Sequence, residues 1–142
     1  MLKIKELHDE SDITNAFPLM AQLRARIHAD TFVAEVRRQQ ADGYDLIAAF
    51  DEDRVVGLAG IRRAHTLSRG PHLFVDDLVT HHTLRGRGVG TALLTWLEAL
   101  ARTEGFPGIY LDSRATAKGF YEKLGFTFLT AVPCWKDVTG TA

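Results

Sequence analysis

The sequence predicts an α/β (α+β) fold, a mixed central sheet of six to seven strands flanked by about four helices, from three observations. Short alternating or β-branched runs recur along the chain. Four stretches with apolar residues every three or four positions lie among them. One strand, at residues 73–80, runs through a glycine-rich loop into an amphipathic helix, so helices and strands share one layered core. The 142 residues, 46% of them hydrophobic, suit a single domain over 1–142, because chains of about 150 residues bury roughly 70% of their unfolded surface.

Each element has its own cause. Leu2–Leu7 alternates Leu2 and Ile4 with Lys3 and Lys5, the period of a half-buried strand. Ile13, Phe17, Met20, Leu23 and Ile27 then recur at helical spacing over Ser11–Ile27, with Ser11 or Asp12 as cap. Pro18 inside that run either starts the helix or kinks it. Asp30 or Thr31 caps a second helix, Phe32–Gln40, whose Arg37-Arg38-Gln39-Gln40 end is a solvated face before Gly43. Tyr44–Phe50 and Val55–Arg62 form an antiparallel hairpin through Asp51-Glu52-Asp53-Arg54. His65–His72 reads as a loop and Leu73–Thr80 as the next strand.

The helix from about Gly88 to Glu104 buries Val89, Leu93, Trp96, Leu97 and Leu100, and Gly105 with Pro107 stops it. Ile109–Leu111 is a short buried strand. Ala115–Leu124 is a helix with Ser113 or Thr116 as cap, ended by Gly125 in the left-handed region. One or two closing strands occupy Phe126–Val138, where Cys134 is a small buried hydrophobe.

The loop after the strand makes an anion site. Gly86, Gly88 and Gly90 let a ligand approach the backbone closely, and the next helix offers unpaired N–H groups and a positive dipole end. Arg85 and Arg87 add fixed positive charge. A dinucleotide fingerprint would want a third glycine at 91 and a P-loop Lys-Ser/Thr after Gly90; Thr91 and Ala92 stand there instead.

Arg85-x-x-Gly88-x-Gly90, followed by a segment ending in Phe120-Tyr121-Glu122-Lys123-Leu124-Gly125-Phe126, resembles in order the two signatures of the GCN5-related N-acetyltransferase (GNAT) superfamily. The resemblance covers about the C-terminal half of the chain. It implies a CoA pyrophosphate site over Arg85, Gly86, Arg87, Gly88, Val89, Gly90 and Thr91, with Phe120 and Lys123 also on the cofactor. It further implies pantetheine pairing with the main chain of Leu78, Val79 and Thr80. Thr80 departs from the usual Val, and Ala117 from the usual Asn, which puts one side-chain contact to CoA in doubt.

Acetyl transfer to an alkylamine needs a base, because an ammonium of pKa about 10.4 is mostly protonated at neutral pH. Asp76 and Asp77 lie in an otherwise apolar strand, where an unpartnered carboxylate is expensive. Strand alternation puts them on opposite faces, so only one can point into a given cleft. Asp76 matches the superfamily's carboxylate base and is the first choice, Asp77 the second; the bland alternative is that both bond backbone amides. Asp112 resembles a carboxylate of glucosamine-phosphate N-acetyltransferases, a candidate base or anchor, and equally a helix cap. The resemblance makes Tyr121 the acid that protonates the departing thiolate; the alternative is a core residue beside Phe120.

The formal net charge of −1 argues against nucleic acid as partner. No apolar run approaches a membrane span, and four of the six histidines, His65, His72, His81 and His82, which could suggest a metal, lack metal-ligand spacing, so neither membrane nor metal is expected. Acetyl-CoA is the expected co-substrate and a small-molecule or peptide amine the partner, with a homodimer allowed. One cysteine and no signal-like start suit the cytoplasm. Helices 11–40 and the 63–72 loop are the expected acceptor walls, where Arg62, Arg63 and Arg69 could hold an acidic group.

Overall fold

The computed structural model describes residues 1–140. In chain order they form β1 (Leu2–Glu6), α1 (Glu10–Leu23), α2 (Phe32–Ala41), β2 (Tyr44–Asp51), β3 (Arg54–Thr66), β4 (Gly70–Thr80), α3 (Val89–Glu104), β5 (Ile109–Leu111) and α4 (Lys118–Lys123). Short 3₁₀ turns occupy His82–Leu84 and Ala115–Ala117. The sheet runs β1-β2-β3-β4-β5, with antiparallel pairing up to β4 and a parallel β4–β5 pair. Two compact units result, Met1–Asp112, which holds the whole sheet, and the chain from Ser113 onward. No helix among the described residues is long and apolar enough to cross a membrane.

Among the described residues five strands stand where six to seven were expected. The missing ones are the closing strands over Phe126–Val138, which join no ladder. Pro133 removes a backbone donor there. Trp135 is 86% exposed, and Cys134 is exposed and free rather than buried. α1 starts earlier and stops earlier than its apolar spacing suggests, with Pro18 inside it. Thr31 does occupy the N-cap position of α2, though its hydroxyl makes no cap bond. The expected 65–72 loop is mostly strand: β3 and β4 pair out to Thr66 and Gly70, leaving a turn at Leu67–Arg69.

One face of the sheet packs on α1 and α2 through Ile13, Ala16, Leu46, Leu58 and Val79. The other packs on α3, whose Val89, Leu93, Leu97 and Ala101 are buried at four-residue spacing. A methyl group on Gly57 would lie 2.5 Å from Val89 Cγ1 and 3.0 Å from Leu93 Cδ1, so the missing Cβ lets the first turn of α3 sit against β3. Arg63 braces this side by bonding Glu104 of α3 together with Asp45 and Glu6. Three carboxylates thus engage it within the fold. The Glu104 hydrogen bond, ahead of the others, pushes the Arg63 guanidinium further into its charged form, and Arg63 in turn holds the Glu104 carboxyl below its usual range.

Candidate active site

β4 contains a bulge at the point where it matters. Gly60 of β3 pairs with Asp77 and Ile61 with Val75, so Asp76 is the extra residue with no partner opposite it. Cross-strand partners share a face. Leu58 and Val79, paired, belong to the α1/α2 core; Gly60 with Asp77 and Arg62 with Phe74 follow at two-residue steps along the regular β3. Phe74 thus puts Asp76 on the α1/α2 face from one side of the bulge, and Val79 puts Asp77 on the same face from the other. The expectation of opposite faces is corrected: the bulge removes one step of alternation and brings both carboxylates together.

Each carboxylate is held by arginine. Arg62 grips Asp76 bidentately, Nε to Oδ2 at 2.6 Å and Nη2 to Oδ1 at 2.8 Å, while its guanidinium lies over the Phe74 ring. Asp77, with 14% side-chain exposure, accepts from Arg24 Nε on Oδ1 and from the Tyr44 hydroxyl on Oδ2, both at 2.8 Å. Burial first, then the Asp77 charge, pushes the Tyr44 phenol far up, so it stays protonated and donates to Asp77. A Cβ on Gly60 would fall onto the Tyr44 hydroxyl oxygen and Asp77 Oδ2; glycine is what allows that bond. The two aspartates are therefore satisfied by side chains, neither by the loop amides of the bland alternative nor by empty solvent.

Past the bulge β4 loses a neighbour. β5 pairs only with Leu73, Phe74 and Val75, so the outer edge of Asp76–Thr80, including Leu78 and Val79, carries no strand among the described residues. The chain then makes the 3₁₀ turn, in which His81 Nδ1 accepts from Thr83 N–H and stacks on His82. Gly86 and Gly88 follow in the left-handed region, with φ of 80° and 85°. Nothing lies within 4 Å of the Cβ position of either glycine, so their backbone is open. Gly88 is the N-cap of α3 and supplies no side-chain cap, leaving the N–H groups of Val89, Gly90 and Thr91 without intrahelical partners. Arg85, Arg87 and Thr91 are exposed around them. Strand edge, loop and helix start thus lie consecutively in chain order, as the anion-site reading requires.

Asp112 ends the first unit just after β5, exposed. In the unit from Ser113 onward, Ser113 Oγ donates to the Arg114 carbonyl and neither it nor Thr116 caps α4, whose N-cap is Ala117. Gly125 ends the helix with φ 89°, and Phe126 N–H donates back to the Tyr121 carbonyl. The Tyr121 ring is buried between Phe120 and Phe126 in edge-to-face contacts of 5.0 and 5.5 Å. Burial raises its phenol above the usual value, which keeps it protonated. Phe120 and Lys123 are exposed on the same short helix. His72, a possible substrate contact by sequence, is buried, its Nδ1 donating to the Gly70 carbonyl and its ring against Tyr110. Arg69 stacks on Tyr110 at 4.1 Å.

Arg24, Tyr44 and Gly60 were not singled out by sequence reasoning. Only Gly60 carried a signal, a glycine inside a strand, which marks a bulge or close approach.

A mixed sheet whose fourth strand opens ahead of a glycine loop and a helix N-terminus is the architecture of an acetyltransferase. The sequence model of the Acetyltransferase (GNAT) family matches residues 7–126, and the chain belongs to that family. It is 30% identical over 132 residues to the uncharacterized N-acetyltransferase YhdJ of Bacillus subtilis (strain 168), covering 89% of this chain and 93% of that one. It is 28% identical over 124 residues to the glucosamine 6-phosphate N-acetyltransferase of Trypanosoma brucei brucei, covering 83% and 84%. The solved aminoglycoside N-acetyltransferase AAC(6')-Iy in complex with CoA shares the fold, with a TM-score of 0.83, 18% identity, and coverage of 97% and 95%.

Proposed function

We propose that residues 1–142 act as one N-acetyltransferase domain, moving the acetyl group of acetyl-CoA directly to a primary amine of a small molecule or peptide. The observation that carries this is the unpaired edge of Asp76–Thr80 leading into a left-handed glycine loop at a helix start. An extended pantetheine can add to the edge as a strand would, through Leu78, Val79 and Thr80. Its pyrophosphate meets the free amides of Val89, Gly90 and Thr91 and the guanidinium groups of Arg85 and Arg87. The family resemblance also implies Phe120 and Lys123 as cofactor residues. The CoA held by AAC(6')-Iy is in keeping with this.

In the transfer the amine nitrogen attacks the thioester carbonyl, the C–S bond breaks, and the thiolate takes a proton. Tyr121 supplies it: a phenol kept neutral by burial is a competent donor. Asp76 is the base that receives the ammonium proton, through water, since an ionised carboxylate has about four acceptor sites and Arg62 occupies two. Asp112, exposed at the end of β5, anchors the amine or shares that task. The cytoplasm suits an exposed free thiol such as Cys134.

A second reading, a non-catalytic acyl-CoA-binding module, is favoured by one observation: Arg62, Arg24 and Tyr44 already neutralise or bond both aspartates. A screen of amines with acetyl-CoA that follows free thiol separates the two. Thiol release that depends on an amine upholds the transferase; tight acetyl-CoA binding without release upholds the module. Within the transferase reading, Tyr121→Phe should lower turnover by roughly 10²- to 10⁴-fold with CoA affinity unchanged. The phenyl ring preserves the contacts with Phe120 and Phe126, so the melting temperature should stay near the parent's. Because burial raises the phenol, the alkaline limb of turnover should lie above pH ~10, the usual tyrosine value. Parental turnover in the variant would remove Tyr121 as the acid.

A further inference from the structure

We infer that Arg24 is a positioning residue for acetyl transfer: from the end of α1 it clamps the β4 bulge and so fixes the open edge of Asp76–Thr80. The inference rests on the acetyl-transfer reading above. A bulge leaves the extra residue outside the ladder, and its backbone carbonyl must find another donor. Arg24 Nη2 donates to the Asp76 carbonyl oxygen at 2.6 Å, while Nε of the same guanidinium donates to Asp77 Oδ1 at 2.8 Å. One rigid planar group thereby spans the peptide bond that joins the two residues of the bulge. Lysine, a point charge on a flexible stem, could reach one of these acceptors but not both in fixed geometry.

The anchor itself is fixed. Arg24 caps α1 in an extended conformation (φ −121°, ψ 106°), its own N–H donating to the Met20 carbonyl at 2.9 Å. On the far side of Asp77 the buried Tyr44 hydroxyl holds Oδ2, so the carboxylate cannot rotate away. Arg62 grips only the side chain of Asp76, which leaves the bulge backbone to Arg24. The Arg24 side chain is 45% exposed, and exposed ion pairs contribute little to stability. Its geometry therefore bears on the edge rather than on holding the fold. The same contact ties that edge to the start of the segment between α1 and α2.

The test uses Arg24→Met, which keeps the aliphatic stem, and Arg24→Lys, measured for kcat, KM for acetyl-CoA, melting temperature and amide hydrogen exchange in the full chain. Arg24→Met should lower kcat by on the order of 10²-fold, the cost of a misplacement near 1 Å, with a much smaller change in KM and in melting temperature. Amides of Asp76–Thr80 should exchange faster while those of Leu73–Val75 keep the parent's rate. Arg24→Lys should restore the pairing with Asp77 but leave exchange at the bulge fast, and kcat only partly recovered. A parental kcat in Arg24→Met, or unchanged exchange at Asp76–Thr80, overturns the proposal; if Arg24→Met fails to fold, the same two readings on Arg24→Lys decide it. A parent chain that turns over no amine removes the acetyl-transfer reading, and with it the catalytic role, whereas the exchange rates still show whether the clamp exists.

Discussion

Among the described residues, β4 lies between two strands from Leu73 to Val75 and beside one from Asp76 to Thr80. The first stretch is a structural member, with Leu73 and Val75 buried and both edges in ladders. The second keeps the β3 ladder, switches register at the bulge, and presents an edge of the kind that proteins usually cover or blunt. The switch is made by one extra residue. That residue and the next bear carboxylates, and each of them is bonded to an arginine from a different element. An open edge next to charged side chains discourages pairing with another strand while leaving room for a narrower extended ligand.

The contrast between the two stretches can be broken most severely at the loop that follows the open one. Acetyl-CoA at a hundredfold excess over Kd should stabilise the parent by about 2.7 kcal/mol, with far smaller effects from ATP and NAD. Gly88→Val should abolish that gain in a thermal-shift assay. The φ of 85° at Gly88 adds strain of about 1–2 kcal/mol, which lowers the unliganded melting point separately. Similar shifts from all three ligands would argue that the open stretch is not a CoA site.

Gly60→Ala strikes the boundary itself. The added methyl lands on Tyr44 and Asp77, and such overpacking costs about 1–3 kcal/mol, read as a shift in denaturant midpoint. A variant as stable as the parent would mean that Tyr44 can leave Asp77 cheaply. Smallest of all should be Glu104→Gln on the opposite face, about 0.2–1 kcal/mol at pH 7, as for partly exposed ion pairs. Its sign with pH is fixed. Glu104 has a folded-state pKa below its unfolded value, so its contribution is present above the ordinary glutamate range near 4.3 and is lost as pH falls through the folded value. The deficit of the variant should therefore fade in acid, without any change in acetyl-CoA binding.

What was legible in the sequence was local. The glycine loop, the buried Val89, Leu93 and Leu97 of α3 and its stop at Gly105 depend on spacing within one element and stand in the structure, whereas Trp96 and Leu100, also expected inside, are only half-buried and Leu94 and Ala101 are buried instead. The face of Asp76 was not legible, because it depends on whether Ile61 pairs with residue 75 or 76, a matter of register between strands. Arg24 and Tyr44 reach Asp77 from 53 and 33 residues away, separations no spacing rule spans. Gly60 was the local trace of that meeting. The closing strands failed for the converse reason: Phe126–Val138 has the composition of a strand, but composition does not supply a neighbour to pair with.

The chain's two tryptophans fall one in each unit, Trp96 half-buried on α3 and Trp135 almost wholly in solvent. An indole in a packed environment emits at shorter wavelength than one in water, so the protein carries two spectrally distinct probes of its own. With Trp135→Phe the remaining emission shifts to longer wavelength as α3 leaves the sheet, whereas Trp135 is already in water and keeps its emission wavelength on heating. The native chain therefore carries both a melting probe for the sheet-bearing unit and an internal reference that does not move, with no dye or label attached.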